Sequence, residues 1–226
     1  MKADPFVQAR LLELQALDTR IQQIDHARTR LPEIAALAEA ETALQGVSDD
    51  VVRIETGLSD IRREVTRAET DVQQVRDRAT RDQARLDAGT GMTSKDLTAL
   101  QRELESLARR QSDLEEVELE AMERQETAEE QLTERTAEQA RLQADVDRLR
   151  EERDAAVAEL DAERTEVVAS RGSVVEGIDD PLVALYDRIR DSSGGLAAAE
   201  FAHGRCGGCR LELNPVDVAA IEKAAV

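Results

Sequence analysis

Apolar residues between Val47 and Leu86 recur at alternating spacings of four and three positions, and one charged residue, Asp82, belongs to the series. The series consists of Val47, Val51, Ile54, Leu58, Ile61, Val65, Ala68, Val72, Val75, Ala79, Asp82 and Leu86. A 3.5-residue repeat sustained over roughly five heptads is typical of a left-handed coiled coil. The pattern therefore predicts one long helix with a continuous seam.

A second periodic stretch, from Leu97 to Val167, has a seam that polar residues interrupt. Its apolar members are Leu97, Leu100, Leu104, Leu107, Leu114, Ala121, Ala128, Leu132, Leu142, Val146, Leu149, Ala156, Leu160 and Val167. The interrupting residues are Gln111, Glu118, Gln125, Arg135, Gln139 and Arg153. The spacing predicts a second long helix.

Between the two stretches lies the predicted turn, near residues 89–94. Gly89 and Gly91 relax the backbone and end a helix. Thr93 or Ser94 can then cap the helix that follows. A single reversal between two long helices makes an antiparallel hairpin, so we expect a mainly α protein built on a long coiled-coil helical hairpin.

The N-terminal end of the hairpin carries its own start and stop signals. Asp4 and Pro5 predict a helix start, with Asp as the cap and Pro in the first turn. Pro32 interrupts the following apolar pattern, because its ring and missing N–H break or kink a helix. We therefore assign residues 1–170 to the hairpin, with a break near residue 32.

Residues 171–195 differ from the arms in composition. Gly172 and Gly177 loosen the chain, and Pro181 follows two aspartates at a predicted helix start. Tyr186 lies on the apolar face of that short helix, where we expect it to be a bulky packing anchor. This region is predicted to be a short helix at the base of the hairpin, flanked by linkers.

The remaining residues, 196–226, contain both cysteines of the chain, Cys206 and Cys209. Two glycines between them suit a tight knuckle between two strands, in which both thiolates bind one zinc ion. A structural zinc site needs four ligands. His203 is a candidate third ligand, although a single His beside a knuckle is more often a bystander. A thioredoxin-like redox pair is the alternative, but it requires the motif to open a helix.

Composition and charge narrow the functional class. Aromatic residues make up 1% and charged residues 35% of the 226 residues, a profile typical of long helices. The net charge of −19 opposes non-specific attraction to nucleic acid or anionic lipid. No stretch approaches the ~20 apolar residues of a membrane span, and the N-terminus has no apolar signal region. Two closely spaced cysteines suit a reducing compartment, so we expect a cytoplasmic protein without a membrane partner.

Three segments, residues 93–105, 181–190 and 206–213, carry a resemblance to a known family. Together with the helical pattern, the chain resembles bacterial C4-type zinc-ribbon proteins that are built on a long coiled-coil hairpin. Asp96 and Leu97 stand where that family often has Glu-Tyr.

The resemblance implies a zinc ion held by two Cys-x-x-Cys pairs, of which Cys206 and Cys209 would be the first. The second pair is not in this sequence, and we expect it shortly after Val226. Residues 196–226 are thus interpreted as a partial zinc ribbon. Zinc is expected in a full-length protein, and weak or absent zinc binding is expected in this 226-residue form.

Relatives in that family look like adaptors or chaperones, some of them linked to flagellar or type III secretion regulation and to RNA or sigma-factor binding. The resemblance implies an adaptor or chaperone-like protein, and we expect its ends to dock protein partners. The sequence shows no nucleophile–base pairing or Gly-rich phosphate loop, so we expect no enzymatic activity. A monomeric hairpin is favoured. The alternative is a regulator that binds RNA or DNA through the zinc ribbon. Candidate partner-binding residues are Lys95 and Leu97 at the turn, and Arg205 and Arg210 beside the cysteines.

Overall fold

The computed structural model describes residues 4–224, which form five α-helices and one two-stranded antiparallel sheet. In chain order these are α1 (Pro5–Arg28), α2 (Pro32–Ala88), α3 (Ser94–Val175), α4 (Asp180–Ser192), β1 (Phe201–Ala202), β2 (Arg205–Cys206) and α5 (Pro215–Ala224). The predicted mainly helical, long coiled-coil hairpin is confirmed. In the described range, no helix is both long enough and apolar enough to cross a membrane.

The helix ends follow from local chemistry. The Asp4 carboxylate accepts a hydrogen bond of 2.8 Å from the Phe6 N–H at the start of α1. At the start of α3, the Asp96 carboxylate accepts hydrogen bonds from the backbone N–H of Thr93 (3.0 Å) and from its hydroxyl (2.7 Å). Before this cap, Gly89 and Gly91 adopt φ of 56° and 77°, which costs glycine little. The chain therefore reverses between α2 and α3.

The chain forms two compact units. The central unit comprises Ala38–Asp147, and the terminal unit combines the residues up to Leu37 with those from Arg148 onward. In the central unit α2 and α3 run antiparallel, because residues successively later in α2 contact residues successively earlier in α3. The pairs are Ser48 with Gln139, Arg62 with Glu129, Arg76 with Glu115 and Arg78 with Glu103.

The core of the central unit is the seam between these two helices. Every member of the predicted series from Val47 to Leu86 is buried or half-buried. Buried residues of the seam are Val51, Leu58, Val65, Ala68, Val72 and Val75 from α2, and Leu100, Leu107, Ala121 and Val146 from α3. The charged member, Asp82, is half-buried between Arg78 and Arg85 of its own helix, which offset its charge.

The terminal unit packs α1 and α4 against the end of α3. Its core consists of Leu14, Val174, Ile178 and Tyr186. Leu14 comes from α1, Val174 from α3, and Tyr186 from α4. Tyr186 is therefore the packing anchor that the sequence suggested, and it contributes the largest side chain of this core.

Two boundaries differ from the sequence-based expectation. Helix α3 continues to Val175 instead of ending near residue 170, so Gly172 is helical. Burial of Val174 in the terminal core favours this extra helical turn and outweighs the preference of glycine for loops. The expected strand before the cysteines is also shorter: residues 196–200 are not in a strand, and β1 comprises only Phe201–Ala202.

Candidate functional site

The cysteines lie in a small hairpin that begins with β1 and β2. Phe201 pairs with Cys206, and Ala202 pairs with Arg205, which leaves His203 and Gly204 as a two-residue turn. Both turn residues have positive φ, 53° and 75°, as a tight hairpin turn requires. The position of His203 is thus explained by the turn.

The chain then folds back through the cysteine loop, residues 206–209. The Cys206 N–H donates to the Leu211 carbonyl (3.1 Å), and the Arg210 N–H donates to the Cys206 carbonyl (2.8 Å). Arg205 and Glu212 pair across the two sides. The cysteines are therefore held at a tight reversal between two short extended segments, as the sequence suggested for this knuckle.

The Cys206 sulfur faces hydrogen-bond donors within the cysteine loop. The backbone N–H of Cys209, followed by that of Gly208 and by the Cys209 thiol, lowers the pKa of Cys206. A lower pKa favours the thiolate, which is the form that binds metals and reacts with disulfides. The loop therefore presents two thiols, one half-buried and one exposed, in a thiolate-favouring setting.

These two thiols supply half of the donor set of a tetrahedral zinc site. Among residues 4–224, no group of three or more His, Cys, Asp or Glu side chains is arranged to hold a metal ion. His203 does not complete such a group with the two cysteines. Cys206 and Cys209 thus fit zinc chemically as two of four ligands.

The two glycines of the cysteine loop have a different role from the one that their position suggests. Neither has positive φ. A Cβ on Gly208 would lie 2.5 Å from the Leu196 side chain and 3.0 Å from the Ala199 side chain. One on Gly207 would lie 3.0 Å from the Glu200 carbonyl oxygen. The cysteine loop therefore packs directly against residues 195–200, which we call the strap, and little room is left for a side chain at either glycine.

The candidate partner-binding residues fall into two places. Arg205 donates to the Glu212 carboxylate through Nε (3.1 Å) and Nη2 (2.6 Å), whereas Arg210 is exposed with φ of 61°. At the turn, Lys95 is exposed and Leu97 is half-buried. Leu97 thus contributes part of its surface to packing, whereas Lys95, Arg205 and Arg210 are all exposed.

A buried polar cluster in the terminal unit was missed by the sequence reasoning. The Asp18 carboxylate, with 6% of its side chain exposed, accepts hydrogen bonds from Arg171 Nε (2.7 Å), the Tyr186 hydroxyl (2.9 Å) and Arg190 Nη1 (3.1 Å). Asp187 contacts both arginines. The cluster links α1, α3 and α4 through charge-assisted hydrogen bonds.

The hydrogen bonds of the cluster shift the pKa of Asp18 and of its partners in the direction that favours an ionised Asp18. Burial raises the pKa of Asp18, but hydrogen bonds from Arg171, Tyr186 and Arg190 outweigh burial and hold this pKa below its ordinary value. Burial, together with the hydrogen bond to Asp18, raises the pKa of Tyr186 well above its usual value. The hydrogen bond to Asp18 likewise raises the pKa of Arg171. The carboxylate is thus ionised and the phenol neutral.

Gln15, one turn before Asp18, attaches the strap to α1. Its Nε2 donates to the Gly195 carbonyl (2.8 Å), and its Oε1 accepts from the N–H groups of Ala197 (2.6 Å) and Ala198 (3.1 Å).

A signal for the Asp18 site existed in the sequence, because alternating spacing along α1 places Asp18 at the seam position between Leu14 and Ile21. A charged residue at a seam position predicts a buried partner.

The two long antiparallel helices of the central unit define a coiled-coil hairpin protein. Residues 14–194 match the family described as the CT398-like coiled coil hairpin domain, and the chain belongs to that family. It is 35% identical to the Mycobacterium tuberculosis protein Rv2229c, described as an uncharacterized protein, over 225 residues that cover 100% of this chain and 91% of that protein.

Two solved structures extend the comparison. A Mycobacterium smegmatis protein has a TM-score of 0.86 and 34% identity, over 98% of this chain and 92% of that one. The structure of CT398 from Chlamydia trachomatis has a TM-score of 0.72 and 16% identity, over 97% and 92% of the two chains. At that lower identity, the likeness to CT398 concerns the fold alone.

Proposed function

We propose that this protein is a non-enzymatic adaptor or chaperone-like protein that docks protein partners on its terminal unit and at the turn between α2 and α3. The observation that supports this proposal most directly is a set of exposed apolar side chains in the terminal unit. Phe6, Leu211 and Val216 are 72%, 67% and 73% exposed. We infer that these side chains, which are exposed on the same unit, contribute contacts to a partner protein.

A cleft of about 700 Å³ adds to this apolar surface. Its walls are α1, the strap with β1, and α5, and its apolar lining includes Leu11, Leu12, Phe201 and Ile221. Gln8 and Glu200 are polar residues of the same lining. A cleft with both apolar and polar residues in its lining suits a partner side chain that is largely apolar and has a polar group.

The experiment is affinity capture followed by binding measurements with each purified partner. One variant replaces Phe6, Leu211 and Val216 with serine. The matched control replaces Val117 and Leu119, which are exposed apolar residues of α3 in the central unit, with serine. We expect the terminal variant to weaken binding and the control to bind as the unaltered protein does. Equal binding by both variants would reject the docking surface in the terminal unit.

Two further variants test the rest of the proposal. Lys95→Glu changes the exposed cation at the turn, and neutralising Glu129, Glu130 and Glu134 changes charges on α3 in the central unit. We expect the first variant to weaken binding of any partner that docks at the turn. We expect the second to be tolerated. Loss of partners only in the second variant would overturn the adaptor proposal.

The cysteine loop is proposed to be the zinc-binding part of a ribbon, with Cys206 and Cys209 as thiolate ligands. When bound, zinc would cross-link the loop and stabilise its fold. The N–H groups around the Cys206 sulfur support this assignment because they favour the thiolate. The free thiols also suit the reducing cytoplasm, where we place the protein.

The alternative function is binding of RNA or DNA through the ribbon. Arg210 favours it, because its side chain is exposed beside the cysteine loop. Phosphate contacts make binding fall steeply with salt, and each lost contact lowers the salt slope by about one unit. An RNA-binding titration at several salt concentrations, with Arg210→Ala as the variant, therefore distinguishes this function from protein docking. Salt-dependent binding that Arg210→Ala weakens would favour the nucleic-acid function.

A further inference from the structure

The strap, residues 195–200, is held to α1 at closely spaced points. The Gln15 side chain is buried and bonds the Gly195 carbonyl and the N–H groups of Ala197 and Ala198. Gly195 is itself buried, with φ of 105°, and a Cβ there would lie 2.4 Å from Gln22 of α1. Because three backbone groups are bound by one rigid amide, the strap cannot slide along α1 without breaking them together.

The opposite side of the same strap is held to the cysteine loop. The Gly207 N–H donates to the Glu200 carbonyl at 2.7 Å. A methyl group in place of a Gly208 hydrogen would force the Leu196 side chain to move and would press on the Ala199 methyl group, 3.0 Å away. The loop thus rests on residues that lie within four positions of those bound by Gln15.

We propose that the strap makes the position of the cysteine loop and the packing of α1 interdependent, and that Gln15 is the positioning residue of the loop. A displacement of the loop pushes on Leu196 and Ala199, and these residues adjoin the N–H groups that Gln15 binds. This coupling depends on the contacts of the strap with α1 and with the cysteine loop. It goes beyond the proposed docking function and holds whether or not the cysteines bind zinc.

The test uses amide hydrogen exchange of the reduced, metal-free full chain, read separately in residues 8–19 and residues 201–213. Gln15→Leu removes the bonds to the strap while keeping a side chain of similar size. Gly208→Ala disturbs the strap from the loop side. The matched controls are Gln73→Leu, which removes one exposed side-chain hydrogen bond on α2, and Gly46→Ala, where a Cβ meets open space.

We expect Gln15→Leu to speed exchange in residues 201–213 by about fivefold or more, since buried backbone groups lose their partner. By reciprocity, Gly208→Ala is expected to speed exchange in residues 8–19, far along the sequence from the substitution. The control variants are expected to leave both segments unchanged. Exchange in residues 201–213 that is the same in Gln15→Leu and Gln73→Leu would overturn the proposal.

The double variant separates coupling from two independent losses of packing. Non-contacting sites normally have additive effects, whereas sites coupled through a shared segment do not. We expect the combined effect of Gln15→Leu and Gly208→Ala on exchange to be smaller than the product of the single effects. A multiplicative effect would refute the coupling. If Gln15→Leu does not fold, as judged by Tyr186 fluorescence, Gly208→Ala alone decides through residues 8–19.

Discussion

Asp18 shows how one side chain can organise a packing interface. A buried carboxylate is costly unless it is paired and its oxygens accept hydrogen bonds. Here two guanidinium groups and one phenol satisfy it, and each comes from a different point on α3 or α4. Removal of the negative charge leaves Arg171 and Arg190 without their main partner. The stability of the terminal unit therefore depends on the ionised form of this residue.

Asp18→Asn is expected to destabilise the terminal unit by about 3 kcal/mol at neutral pH, the typical cost of breaking a buried ion pair. The probe is Tyr186 fluorescence during denaturant unfolding, because the chain contains one Tyr and no Trp. Asp77→Asn is the control, since Asp77 is exposed and bonds only Gln73 in its own helix. An effect of Asp18→Asn no larger than that of Asp77→Asn would contradict the assigned role.

The same substitution has a pH dependence of known sign. The folded-state pKa of Asp18 is lowered, so its contribution is complete above the ordinary pKa of about 3.9 and is lost as pH falls through the folded value. The stability difference between the unaltered protein and Asp18→Asn is expected to be constant near neutral pH and to shrink in acid. A difference that grows on acidification would mean that Asp18 is protonated in the folded state.

At the scale of elements, the seam between α2 and α3 is the main source of order in the central unit. Its α2 side is apolar apart from Asp82, whereas its α3 side includes several half-buried glutamines. Some of these glutamines donate a hydrogen bond within α3, as Gln111 does to Glu115, and Gln139 donates across the seam to Ser48 of α2. The seam thus tolerates polar groups because each of these amides has a partner.

Leu58→Asp is expected to lower the stability of the central unit by about 3 kcal/mol or more, the cost of an uncompensated buried charge. Leu58 is 2% exposed, whereas Val52, two turns earlier on the same helix, is 62% exposed. Val52→Asp is therefore the matched control, and we expect a change within about 0.5 kcal/mol. The measurement is the helical circular dichroism signal on heating. Similar melting of the two variants would show that the seam is misassigned.

At the scale of the whole molecule, the chain combines a family fold with a strongly acidic surface. Its net charge of −19 causes repulsion between copies and disfavours non-specific binding to phosphates. Exposed ion pairs between α2 and α3, such as Arg62 with Glu129, add little stability because water and salt screen them. These surface charges therefore contribute little to the stability of the fold.

Zinc content is predicted to depend on the presence of a second cysteine pair. Elemental analysis after purification without chelator is expected to find little zinc in this 226-residue chain and stoichiometric zinc in a chain that carries a second cysteine pair. Replacing Cys206 and Cys209 with serine in the longer chain is expected to remove the metal. Binding should weaken as pH falls, because protons compete for the thiolates. A longer chain without zinc would remove the ribbon assignment.

Much of the fold can be predicted from the periodic spacing of apolar residues and from local turn and capping residues in the sequence. The four-and-three spacing specifies the seam, because a side chain repeating every 3.5 residues stays on one helical face. Gly89, Gly91 and Thr93 mark the reversal through backbone freedom and capping, and Pro32 begins α2 because it cannot continue a helix from before it. These features depend on neighbours within a few residues, and they can therefore be predicted from the sequence.

The tertiary structure alone decided which distant groups meet. Asp18 accepts hydrogen bonds from Arg171 and Arg190, and Gln15 donates to the strap at a residue 180 positions later in the chain. The sequence spacing favoured a role for Gly207 and Gly208 in a metal knuckle, whereas the structure shows that both lie against the strap, where a Cβ would have little room. Such pairings depend on how packed helices bring remote residues together, and local periodicity does not encode that arrangement.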